Sequence, residues 1–147
     1  MIAIASDHGG FALKEEIAAH LKARGIAFDD LGTHSEESCD YPYYAEKLGR
    51  AVADGSYEQG ILICGTGIGM CMAANKIRGV RCALCSDCFS AEMTRIHNDA
   101  NVLALGARVL GVELAKRIVD TYLAASFEKG GRHQRRVDMM TKLEDRF

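Results

Sequence analysis

Residues 60–75 read Gly-Ile-Leu-Ile-Cys-Gly-Thr-Gly-Ile-Gly-Met-Cys-Met-Ala-Ala-Asn, and this passage decides the fold. Ile61, Leu62 and Ile63 form an unbroken apolar run, the pattern of a strand buried on both faces. Glycines at 65, 67 and 69 interrupt the run, and helix-favouring residues resume near Ile68. The unit is strand, loop, helix. Alternating glycines let the backbone approach a ligand closely, and the N-terminus of the following helix aims unpaired N–H groups and the positive end of its dipole at it. The expected guest is an anion. Cys64 is the last residue of the strand, where its thiol would face the same donors. A thiolate would be stabilised there, which makes Cys64 a candidate base or nucleophile.

Other readings of the same loop exist. Gly65, Gly67 and Gly69 suit the turn of a dinucleotide fold, and Asp87 lies about twenty residues on, where a ribose-binding acid is expected. The spacing, however, is G-x-G-x-G rather than G-x-G-x-x-G, and the motif sits in mid-chain. No Gly-Lys-Ser/Thr closes the loop, so a Walker reading fails. Free cysteine is also among the most buried residues, and an inert, packed Cys64 is the plain alternative.

Outward from this unit the chain alternates strand and helix. Residues 2–6 are the first strand and Asp7-His8-Gly9-Gly10 its loop. Phe11, Leu13, Ile17 and Leu21 recur at near-helical spacing over 11–24, and Gly25 ends that helix. A weaker strand over 26–31 and a polar loop over 32–40 follow; Pro42 then suits the first turn of a helix running to Asp54. Strands are expected over 80–85 and 102–105, with helices over 88–97 and 111–127 and a last helix beyond Gly130-Gly131. Five strands joined by helices predict a three-layer α/β domain, a doubly wound parallel sheet covered on both faces. Ligands of such sheets bind beyond the carboxyl ends of the strands where strand order reverses. If the first and third strands are neighbours there, Asp7-His8 and Cys64–Gly69 face one another.

Composition narrows the class. With 147 residues, 16.0 kDa and 48% hydrophobic content, the chain suits one sizeable core, and a single domain over 1–147 is expected. A formal charge of −2 argues against general affinity for nucleic acid or an anionic membrane, and no apolar run reaches the length of a membrane span. Met-Ile-Ala-Ile-Ala-Ser-Asp reads as a first strand and not a signal peptide, so a cytoplasmic protein with six thiols is expected. Cys82, Cys85 and Cys88 spell C-x-x-C-x-x-C, but strand alternation sends Cys82 and Cys85 to opposite faces, and no fourth cysteine followed by proline completes an iron–sulfur pattern. Cys39 and Cys71 read as packing.

Six motifs in order carry a resemblance: Ser-Asp-His-Gly-Gly at 6–10, Asp-Tyr-Pro at 40–42, Cys-Gly-Thr-Gly-Ile-Gly at 64–69, Ala-Ala-Asn-Lys at 73–76, His-Asn-Asp-Ala-Asn at 97–101 and Gly-Gly-Arg-His-Gln at 130–134. Together they resemble the ribose-5-phosphate isomerase B family, over essentially the whole chain. The broader family includes allose-6-phosphate and galactose-6-phosphate isomerases. The resemblance implies interconversion of an aldose phosphate and its ketose, without metal or organic cofactor. Cys64 matches the family's base, which moves a proton between C2 and C1 through an enediolate, and His97 matches the proton donor that assists opening of the furanose. Asp7 and His8 match sugar contacts, the backbone of Gly65, Thr66, Gly67, Ile68 and Gly69 the anion hole, and Asn98, Arg108, Arg132 and Arg136 further substrate contacts, the arginines as phosphate clamp. The candidate catalytic set is Cys64, His97, Thr66 and Asp7. Some members use a glutamate a few residues past the base position; residues 68–74 contain no carboxylate, and Met70 stands where a small residue is common.

Physical chemistry runs beside the resemblance. Preorganised N–H donors at developing oxyanions are worth roughly 3 to 4 kcal/mol each. Thr66 suits a proton shuttle between the two substrate oxygens, although a helix cap is the plainer reading of it. His97 alone reads as a helix C-terminal histidine favourable to the dipole, and Arg132 and Arg136, four apart, as a basic face able to reach one phosphate. Asp7 and Cys64 follow strands whereas His97 follows a helix and precedes the fifth strand, which puts it near the opposite end of the sheet. The resemblance implies dimers or larger assemblies such as tetramers with sites at subunit contacts, and His97 is therefore expected to act in trans, in one site with the partner's Cys64.

Overall fold

The computed structural model describes residues 1–146. The strands are β1 (Ile2–Ser6), β2 (Phe28–Asp30), β3 (Gln59–Cys64), β4 (Cys82–Leu84) and β5 (Val102–Gly106). Between and after them come α1 (Phe11–Ala23), α2 (Tyr41–Ala53), α3 (Ile68–Ala74), α4 (Cys88–Asn98), α5 (Val112–Ala124) and α6 (Gly131–Lys142), with 3₁₀ turns at His8–Gly10 and Leu143–Asp145. All pairings are parallel and the order is β2-β1-β3-β5-β4. The expected doubly wound α/β sheet is the observed one.

Handedness assigns the faces. The step from β1 to β2 runs one way along the sheet and the steps β2 to β3 and β3 to β4 the other, so right-handed crossovers put α1 opposite α2 and α3. The return from β4 to β5 brings α4 back to the side of α1. Burial agrees: Ile4, Ile61, Ile63 and Leu103 pack with Ile17 of α1 and Ile118 and Tyr122 of α5, whereas Ala3, Ala5, Leu62 and Cys64 pack with Leu48 of α2 and Met70 of α3. Consecutive residues of β3 enter opposite cores, as period-two alternation requires. Met70 is fully buried in the second core and stays out of the glycine loop.

Three elements are shorter than expected. β2 is shorter than 26–31 and β4 shorter than 80–85; each lies at an edge of the sheet, where one ladder alone sustains the strand. Helix α5 stops at Ala124, not 127, because Ala125 turns extended, and the chain then lies along α4 with the Glu128 amide donating to the Ile96 carbonyl at 3.3 Å. Among the described residues no helix is long and apolar enough to cross a membrane.

Candidate active site

β1 and β3 are neighbours, with Ser6 opposite Ile63, so the segments that follow them leave the carboxyl edge side by side. The Asp7 amide donates to the Ile63 carbonyl at 3.2 Å, and Asp7 Oδ1 accepts from the Gly10 amide at 3.0 Å, which closes the His8–Gly10 turn. A Cβ on Gly10 would stand 2.3 Å from the Ile63 oxygen, so only glycine lets this turn sit on β3. A Cβ placed on Gly9 would be 3.4 Å from Asp7 Oδ1, Arg108 Nη2 and the Gly65 amide nitrogen alike. A carboxylate, a guanidinium and an amide from three loops thus converge on one point.

The glycine loop presents Cys64 to that point. Cys64 is 5% exposed, and its Sγ accepts from the Gly67 amide at 3.1 Å. Gly67 has φ +77°, and the helix α3 opens directly after it. Thr66 Oγ1 accepts from the Ile68 amide at 3.3 Å, but the N-cap of α3 is Gly67, so Thr66 stands one residue before the cap position and keeps its own hydroxyl proton free to donate. The Gly65 and Thr66 amides have no protein acceptor among the described residues. Arg108 is brought over them by its own amide, which donates to the Gly65 carbonyl at 2.9 Å, and among the described residues its guanidinium has no ion-pair partner. The Tyr41 ring lies against Gly69, with a Gly69 Cβ position 2.7 Å from Tyr41 Cζ. His8 Nδ1 accepts from the Cys39 amide at 3.2 Å, which leaves a neutral His8 with its proton on Nε2 as a donor. Free donors, a positive charge and a thiol share one edge, an arrangement suited to taking a proton beside an oxygen that becomes anionic.

The remaining predicted residues lie elsewhere. His97 and Asn98 end α4, just before β5 begins, at the amino edge of the sheet, and Arg136 joins them from α6. They line a cavity of about 280 Å³ with His133, Val137 and Met140. β3 alone spans roughly 16 Å from Gln59 to Cys64 at about 3.3 Å per residue, so the two groups sit at opposite ends of the sheet. Arg132 and Arg136 are exposed on α6 and, among the described residues, make no ion pair. The His97 ring stacks on His133, centroids 4.2 Å apart and planes within 11°. A larger cavity of about 490 Å³ between β4 and α6 includes Asn75, Arg81 and Asn98 but no residue of the Cys64 loop.

Several residues acquire meaning only here. Asp87 caps α4, accepting from the Ser90 amide at 2.7 Å, and this hydrogen bond with that of the Ser90 hydroxyl lowers its carboxyl pKa; the ribose-binding reading of Asp87 has no place. Cys82 and Cys85 do face opposite cores. Cys71, read as packing, is half-buried, and the neighbouring Cys82 thiol and then the Leu84 amide and Asn75 lower its thiol from 9.0 to about 7 against the effect of burial. Asn75 ties the end of α3 to β4: Nδ2 donates to the carbonyls of Cys71 at 3.0 Å and Cys82 at 2.8 Å, and Oδ1 accepts from the Cys82 amide at 2.8 Å. Gly9, Tyr41 and His133 received no role from sequence. Each stands in a quoted motif, the one signal that could have found them.

The chain is similar to known proteins over nearly its whole length. The family model described as Ribose/Galactose Isomerase matches residues 2–140. Ribose-5-phosphate isomerase B of Escherichia coli (strain K12) is 55% identical over 145 residues, 99% of this chain and 97% of that protein. The structure of Clostridium thermocellum ribose-5-phosphate isomerase B superposes with a TM-score of 0.96 at 52% identity, covering 99% of this chain and 97% of the other. Ribose-5-phosphate isomerase B from Mycoplasma genitalium, solved with bound ribulose 5-phosphate, superposes with a TM-score of 0.93 at 44% identity over 99% and 97% of the two chains.

Proposed function

The chain belongs to the ribose/galactose isomerase family, and from that membership we propose that it interconverts ribose 5-phosphate and ribulose 5-phosphate through an enediolate. The observation that carries this reading is the Cys64 sulfur beside the Gly65 and Thr66 amides and the Arg108 guanidinium, which are without partners among the described residues. The Cys64 thiolate takes the proton from C2 of the open-chain aldose and returns it to C1. As the proton leaves C2, negative charge builds on the carbonyl oxygen, where the amides of the loop stabilise it until C1 is protonated. Thr66, whose hydroxyl proton is unengaged, moves a proton between O1 and O2. Asp7 and His8 Nε2 hold the sugar hydroxyls beside Gly9.

A second copy completes the site. His97 gives a proton to the ring oxygen as the furanose opens, while Asn98, Arg132 and Arg136 hold the far end of the sugar phosphate. His97, Asn98 and Arg136 sit at the amino edge, so the two-fold dimer that lays one chain's amino edge over the other's carboxyl edge supplies both halves twice. The glycine loop alone also suits a binding module without chemistry. Incubation with ribose 5-phosphate in deuterated water separates the two: an isomerase yields ketose and washes deuterium into the sugar. The family description includes galactose isomerases, so turnover of allose and galactose 6-phosphates beside ribose 5-phosphate tests the substrate. Faster turnover of a six-carbon sugar would replace the ribose reading.

A further inference from the structure

The stack of His97 on His133 is unused by the mechanism above, although it involves the group assigned to ring opening. The rings come from different elements, α4 and α6, at a centroid separation of 4.2 Å and an interplanar angle of 11°. Their relative position is held from two sides. The Glu128 amide donates to the Ile96 carbonyl, one residue from His97, and Val137 is buried one turn beyond His133. The His133 side chain is 12% exposed, and its Nε2 lies 4.0 Å from Glu128 Oε2. An imidazole on a helix end otherwise keeps rotamer freedom, and a proton donor placed an ångström out of position can lose about 10²-fold in rate.

We propose that His133 is a positioning residue for His97: its parallel ring fixes the plane in which the His97 imidazole meets the sugar ring oxygen. This rests on the reading of His97 given above. The contact also couples charge. Burial first, then His97 and Arg132, and more weakly Arg136, push the His133 imidazole below its ordinary range, with Glu128 acting in the opposite sense. His133 therefore tends to remain neutral, and a neutral ring stacks on its neighbour without the repulsion that a second imidazolium would bring.

Two measurements test this. In steady-state kinetics on the intact assembly, His133→Ala should lower kcat about tenfold or more with KM moving less than about twofold, whereas His133→Phe, which restores a flat ring, should recover kcat to within about threefold of the parent. Equal activity of all three, or equal loss in both variants, overturns positioning by the stack. The second measurement needs no catalysis. By NMR, the His133 ring protons should carry an upfield ring-current displacement in the parent and in His97→Phe that disappears in His97→Ala. The midpoint of the His133 titration should rise in both variants, because the neighbour that lowers it has gone. Unchanged shifts and midpoint refute the coupled stack, whatever substrate the enzyme takes. If these hold while His133→Ala leaves turnover intact, the stack exists but does not position His97, and the turnover of His97→Ala decides separately whether His97 opens the ring.

Discussion

The Gly67 amide donates to the Cys64 sulfur across 3.1 Å, so the residue that turns the loop also holds the sulfur proposed as the base. Gly67 can do this because it adopts φ +77°, and a Cβ there would lie 2.8 Å from the Leu105 carbonyl carbon, a backbone atom that cannot step aside. Gly67→Ala is expected to cost roughly 1 to 3 kcal/mol of stability and to lower turnover about 10²-fold by moving the sulfur. Urea unfolding midpoints and kcat measured together check it; a stable, fully active variant would show that the turn does not place the base.

Cys64→Ala should lower kcat by about 10² to 10⁴, the usual contribution of a positioned acid or base, with a smaller change in affinity. Near-normal turnover in this variant would remove Cys64 from the chemistry.

Alkylation needs care because of Cys71. Its thiol, lowered to about 7, is ionised from near-neutral pH upward, whereas the buried Cys85 thiol is raised to about 11 and stays protonated. Iodoacetamide is therefore expected to modify Cys71 as well as Cys64, and Cys64→Ala should still take up label at Cys71. Peptide mass spectrometry at rising pH reads this directly. Substrate should protect Cys64 more than Cys71; label confined to Cys64 would contradict the Cys71 environment.

Arg136→Ala should mainly raise KM for the phosphorylated sugar, since a charge-assisted contact to phosphate contributes to binding before it contributes to chemistry. The comparison is with the unphosphorylated sugar. An equal loss for both would show that Arg136 serves something other than the phosphate.

Mixed assemblies test the shared site. Cys64→Ala and His97→Ala chains, unfolded and refolded together, should regain about a quarter of normal activity, because half the dimers are mixed and each mixed dimer holds one intact site of two. Mixed dimers demonstrably present but inactive would place both residues in one chain's site.

Much of this was legible in local pattern. The run Ile61–Ile63 followed by spaced glycines specified β3, its loop and the start of α3, because the period of a strand and the steric freedom of glycine act within a few residues. The same alternation sent Cys82 and Cys85 to opposite cores, and chain order alone put His97 near the far edge from Cys64. Strand order was another matter. That β5 enters between β3 and β4, that Arg108 then folds back over Gly65, and that Asp7 meets both beside Gly9 are contacts between residues tens of positions apart. The early stop of α5 at Ala124 has no glycine or proline to announce it, and it arises from packing along α4. The shift of Cys71 likewise comes from β4 across the α3 boundary. Periodicity encodes which way a side chain points relative to its own backbone; what it then meets depends on how elements dock, and that is decided by the summed packing of the whole sheet and its two cores.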